Sequence, residues 1–144
     1  MNVQLFNRQH VFSIDEKEIE RLIKGFLTWK KVECEEVIVH FVDVEEISKL
    51  HGEYFDDPSS TDCISFPIDS PEEPECLVLG EIFVCPEVGI AYAKEHGIDP
   101  YHEIMRYIIH GLLHLLGFDD QDEKSQKIMR DEENSAMHYL INIS

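Results

Sequence analysis

The chain has 144 residues, 12 lysines and arginines against 30 aspartates and glutamates, and a formal net charge of −18. That length suits one ordinary domain, expected to span residues 1–144, with enough sequence to bury a core of its own. The charge opposes nonspecific attraction to nucleic-acid phosphates, and no apolar run is long enough to cross a bilayer.

The N-terminus, Met1-Asn2-Val3-Gln4-Leu5-Phe6-Asn7-Arg8, lacks the basic flank and apolar stretch of a secretory signal and reads as a short strand. A cytoplasmic chain is the expectation. Ser13 and Glu16 form a capping-box pattern for a first helix, whose Ile19, Leu22, Ile23, Phe26 and Leu27 share one face. Lys17, Arg21, Lys24 and Lys31 fall on the opposite stripe. They are a candidate RNA-contacting patch, although Glu16, Glu18 and Glu20 beside them equally suit a solvated face.

Val37 to Val42 reads as a strand, Val44 to Glu53 as a short helix, and Cys63-Ile64-Ser65-Phe66 and Leu77 to Val84 as two further strands. Between the last two, Asp69-Ser70-Pro71-Glu72-Glu73-Pro74-Glu75 reads as a solvated loop. From Lys49 to Lys94 the chain carries ten carboxylates and no lysine or arginine in between, so this stretch is a poor surface for RNA. Four cysteines, Cys34, Cys63, Cys76 and Cys85, show no CxxC spacing and read as small buried thiols.

Pro86 opens another helix and Gly97 closes it. Asp99-Pro100 then announces a strongly apolar helix that Gly117 ends. A final helix is expected from about Glu123 to Leu140, with Met129, Ala136, Met137, Leu140 and Ile141 facing inward. The element order predicts an α/β (α+β) fold, a small mixed sheet of about four strands with about five helices, the Asp99 to Gly117 helix central.

His110 and His114 stand four residues apart on that helix, so their imidazoles project from one face, one turn apart. With eight histidines in the chain, a chance His-x3-His pair has a probability of about 0.4. Requiring also a glycine three residues on and a ligand-type residue three beyond that lowers it to about half a per cent. Gly117 frees the chain to double back, so Asp120 can bring a carboxylate oxygen to the ion that the two imidazoles face. His110, His114 and Asp120 therefore predict one divalent-metal site, best suited to a single zinc, with the fourth position left to water as in catalytic sites. Glu103 or Tyr107, seven and three residues before His110, is the candidate to orient a histidine through its second nitrogen. Glu103 equally suits a partly exposed acid near the helix start. Arg106 is a candidate phosphate contact, although it lies about 40° from the line of His110.

The spacing His-x3-His-x2-Gly-x2-Asp matches that of zinc proteases, in which the residue after the first histidine is a glutamate base. Here it is Gly111, which ranks protease-like hydrolysis low. Residues 110 to 120, His-Gly-Leu-Leu-His-Leu-Leu-Gly-Phe-Asp-Asp, together with Tyr54, Thr61-Asp62-Cys63-Ile64-Ser65-Phe66-Pro67 and Leu79-Gly80-Glu81-Ile82-Phe83-Val84, resemble the YbeY-like endoribonucleases, bacterial ribosomal-RNA maturation proteins. Glu103 falls where that family has a glutamate. The resemblance implies a zinc-dependent, single-strand-specific endoribonuclease that processes the 3′ end of small-subunit ribosomal RNA and takes part in ribosome quality control. Its implied partners are ribosomal RNA and the small subunit, not DNA or a membrane. Two positions depart from the family pattern: Asp120 replaces a histidine ligand, and Phe55 replaces the arginine after the tyrosine. The alternative from another class is a non-catalytic ribosome-assembly factor with a structural metal.

Overall fold

Alternating apolar residues build a four-stranded sheet in the computed structural model, which describes residues 1–57, 59 and 61–142, with all side chains but that of Asn142. In chain order the elements are β1 (Asn2–Asn7), α1 (Glu16–Trp29), β2 (Glu36–Phe41), α2 (Val44–Phe55), β3 (Cys63–Pro67), β4 (Val78–Val84), α3 (Pro86–His96), α4 (Pro100–Leu115) and α5 (Glu123–Asn142). The sheet order is β1-β2-β4-β3. β1 runs parallel to β2 and β2 to β4, whereas β3 is antiparallel to β4. The β3–β4 connection is the expected acidic loop, pinned where the Asp69 carboxylate accepts from the Leu77 and Val78 amides at 3.1 and 2.9 Å. The mixed α/β architecture predicted from the element order is the one observed.

Period-two alternation divides the strands between two faces. Val37, Val39 and Phe41 of β2 and Ile82 and Val84 of β4 point into the main core with α1, α4 and α5, whereas Ile64 joins Ile47 of α2 in a smaller core. α4 is the centre of the main core: Ile104, Met105, Ile108, Ile109, Leu112 and Leu113 are fully buried. Each such side chain contributes about 1.5–3 kcal/mol by leaving water. Among the described residues no buried side-chain nitrogen or oxygen lacks a hydrogen-bond partner.

Local starts and stops follow the sequence with three corrections. The N-cap of α1 is Asp15, whose carboxylate accepts from the Glu18 amide; Ser13 lies outside the helix, because the chain stays extended at Asp15 before it coils. Lys31 lies beyond the end of α1 at φ 58°, so the basic stripe on the helix is Lys17, Arg21 and Lys24. Cys34 and Cys76 are not idle thiols but form a disulfide with Cα atoms 4.7 Å apart. They precede β2 and β4, which pair side by side, so strand pairing brings together two residues separated by 42 positions in the chain. Among the described residues, no helix is long and apolar enough to cross a membrane.

Candidate metal centre

α4 starts where the Asp99 carboxylate accepts from the Tyr101 amide, with Pro100 in the first turn. At its other end, Gly117 at φ 101° donates its amide to the His114 carbonyl and Phe118 donates to that of Leu113, each at 3.1 Å. This paired closure is the left-handed glycine stop of a helix, and it turns the chain back past the last turn of α4. Asp120 arrives there on a short connector. The connector is held to α5 by Gln126, whose side-chain amide donates to the Asp120 carbonyl at 3.1 Å.

Three ligand-type atoms meet at this point. The Nε2 atoms of His110 and His114 are 3.1 Å apart, and Asp120 Oδ2 lies 3.5 Å from the first and 3.6 Å from the second. Ligands of a tetrahedral ion bonded at about 2.0–2.1 Å stand about 3.3–3.4 Å from one another, so this triangle has the size that such an ion needs. Two imidazoles and one carboxylate suit zinc better than calcium or magnesium, which favour oxygen donors. His110, His114 and Asp120 are also the group of half-buried residues able to hold an ion among the described residues.

The orientation of His110 comes from α5. Its Nδ1 donates to Glu133 Oε2 at 2.7 Å, which leaves Nε2 free to face the triangle. The other oxygen, Glu133 Oε1, accepts from Arg106 Nη1 at 3.3 Å, and the same Nη1 donates to Asn134 Oδ1 at 2.9 Å. Glu133 is thus an almost buried carboxylate between two cation-forming groups. Burial works against a charged His110, but the Glu133 hydrogen bond and charge, with Asp62 and Asp120 behind them, hold its pKa above the ordinary imidazole value.

Glu103 and Tyr107 do not hold His110. They hydrogen-bond each other, burial raises the pKa of each, and the Nδ1 position that either would have filled belongs to Glu133. Helix spacing points to a partner on the same helix, whereas the partner lies 23 residues away on α5. Arg106 lines a neighbouring hollow with Ile98, Asp99, His102, Glu103 and Met137, so it braces Glu133 instead of facing the metal cleft. Arg21 and Lys24 pair with Glu18 and Glu20 of their own helix. With Lys17 they line a groove between α1 and α5, and no lining residue of that groove is shared with the cleft of His110, Asp120, Gln126, Arg130 and Glu133.

Two residues that the sequence reading passed over, Glu133 and Arg130, therefore border the site. A signal for Glu133 exists: it is a charged residue inside the apolar stripe Met129, Ala136, Met137 and Leu140, all buried. Gly111 is explained by packing. A Cβ there would lie 2.7 Å from Ile82 Cγ2 and 2.9 Å from Cys63 Sγ, and the Gly111 carbonyl accepts from Ser65 Oγ at 3.1 Å. A glutamate, as in the zinc proteases, has no room between α4 and the sheet. Upstream, Tyr54 packs edge-on against Phe66 with ring centroids 5.0 Å apart, and Phe55 is 54% exposed at the end of α2.

The family described as Endoribonuclease YbeY matches residues 4–141. A protein named Endoribonuclease YbeY from Protochlamydia amoebophila is 43% identical over 134 residues, covering 93% of this chain and 89% of the relative. The protein of that name from Chlamydia trachomatis serovar D is 41% identical over 136 residues, covering 93% and 84%. The solution structure of TM1509 from Thermotoga maritima shares the fold, with a TM-score of 0.67 at 24% identity over 96% of this chain and 89% of that one. With the motif, the fold and these relatives in agreement, the chain belongs to the YbeY endoribonuclease family.

Proposed function

We propose that the chain is a zinc-dependent endoribonuclease that cuts single-stranded RNA, with residues 1–144 acting as one domain. Its substrate in this reading is the 3′ end of small-subunit ribosomal RNA, and its setting is ribosome maturation and quality control in the cytoplasm. The observation that carries the proposal is the triangle of His110, His114 and Asp120, with edges of 3.1, 3.5 and 3.6 Å, in a chain whose relatives are named endoribonucleases.

When bound, zinc supplies a Lewis acid for a phosphoryl oxygen and acidifies water at neutral pH. The residues around it set the conditions. Glu133 keeps the His110 tautomer that leaves Nε2 unprotonated, and Arg106 keeps Glu133 in place. The left-handed turn at Gly117 holds Asp120 opposite the two imidazoles. Asp120 in place of a histidine lowers the formal charge of the loaded site from about +2 to about +1, which weakens its attraction for phosphate.

The test is metal analysis followed by cleavage of ribosomal RNA and unstructured RNA by wild-type and His114→Ala protein. Cleavage that disappears with His114 is expected. Metal-loaded protein that cuts no RNA, with the variant indistinguishable, refutes the reading. Phe55, where the family carries arginine, and the charge of −18 favour a second reading, an assembly factor with a structural metal. A His110→Ala protein that stays folded and loses only RNA turnover excludes that second reading.

A further inference from the structure

Recognition of an RNA phosphate is served by a cation near the metal cleft, and three of the four arginines in this chain are already engaged. Of its four arginines, Arg8 is held by Glu46, Arg21 by Glu18, and Arg106 by Glu133. Phe55 supplies no charge. Arg130 is exposed, as Arg8 and Arg21 are, but it differs from the other three in lining the cleft with His110, Asp120, Gln126 and Glu133 and in having, among the described residues, no side-chain ion pair or hydrogen bond.

Its place on α5 accounts for this. Gln126, Arg130 and Glu133 are spaced four and three residues apart, so they share one face of the helix. Gln126 is tied to the Asp120 backbone, and Glu133 is tied to the His110 ring. Arg130 therefore projects between the anchors of two of the three ligand residues. The nearby carboxylates are committed, Asp120 to the ligand triangle and Glu133 to His110 and Arg106. That leaves the guanidinium for an anion from outside, and its planar fork matches two oxygens of a phosphate.

We propose that Arg130 is the phosphate-binding residue of this cleft and holds the phosphate group of RNA beside the metal ion. The inference rests on the endoribonuclease reading for its substrate, but phosphate binding can be measured apart from cleavage. Wild-type, Arg130→Ala and Arg130→Lys proteins are loaded with zinc, their metal content is measured, and inorganic phosphate is titrated calorimetrically; KM and kcat for RNA are then determined.

The expected result is unchanged metal content, phosphate binding weakened about tenfold to a hundredfold in the alanine variant, and partial recovery with lysine, which keeps the charge but not the fork. In cleavage, the alanine variant raises KM more than it lowers kcat. Equal phosphate affinity in wild type and the alanine variant overturns the inference, as does metal-loaded wild type that binds no phosphate. Loaded wild type that binds phosphate through Arg130 yet cuts no RNA counts against the endoribonuclease reading and leaves the phosphate site standing.

Discussion

Replacing Glu133 by glutamine tests whether the metal site depends on a residue outside its ligand set. The carboxylate serves two donors with separate oxygens, His110 Nδ1 at 2.7 Å and Arg106 Nη1 at 3.3 Å. Glutamine has one acceptor oxygen and one amide, so turning the oxygen to His110 sets the amide against the guanidinium, and turning it to Arg106 sets the amide against the imidazole N–H. One bond is lost either way, and it is charge-assisted, a loss of about 1.5–3 kcal/mol. Loosening the outer partner of a ligating histidine reduces metal affinity about tenfold to a hundredfold. Competition with a chromophoric chelator at about pH 7.5 reads this directly.

The pH dependence supplies a second arm. Metal needs the neutral imidazole, so a His110 pKa held above the ordinary value means that metal is released as pH falls through that raised value. The glutamine variant removes the Glu133 charge that, against burial, holds the His110 pKa up, so that pKa falls and the variant's deficit narrows as the solution is acidified. In the metal-free protein the linkage concerns folding. The folded pKa lies above the unfolded one, so the pair's contribution is fully present below about pH 6.5 and fades as pH rises through the folded value. Affinity unchanged within twofold, with the same pH profile, refutes the assignment of Glu133 as the residue that positions His110.

Gly111→Ala forces a Cβ to 2.7 Å from Ile82 Cγ2 and 2.9 Å from Cys63 Sγ. Overpacking of about 1–3 kcal/mol outweighs the helix preference for alanine of about 1 kcal/mol. Urea unfolding should show lower stability, and Ile82→Ala should cost less in this background than in wild type; strictly additive losses argue against the contact. Cys34→Ser opens a disulfide that spans 42 residues, with an expected loss of about 2–4 kcal/mol in non-reducing buffer. Wild-type melting that is indifferent to reductant contradicts this. Burial holds the Glu103 pKa above the usual carboxylate range, against the opposing effects of Tyr107 and Arg106. That group's contribution is thus complete below its unfolded pKa of about 4.3 and is lost as pH rises through the folded value. Glu103→Gln does not titrate, so its stability relative to wild type should rise from about pH 4 to pH 7; a difference independent of pH rules out the buried-acid account.

Much of the fold and the inner site was legible in the sequence, because the governing interactions are local. The His110 and His114 spacing, the stop at Gly117, the Asp99-Pro100 start and the return to Asp120 all lie within about six turns of chain, where helix geometry alone fixes which side chains meet. Strand alternation and the apolar face of α1 were readable for the same reason. The tertiary structure decided the rest. Glu133 reaches His110 across 23 residues, and Cys34 meets Cys76 across 42. Arg130 joins the cleft because α5 packs on α4, and Gly111 is required by its contact with β3 and β4. No periodicity reports such meetings, since they depend on how completed elements pack and not on the chain that makes each one.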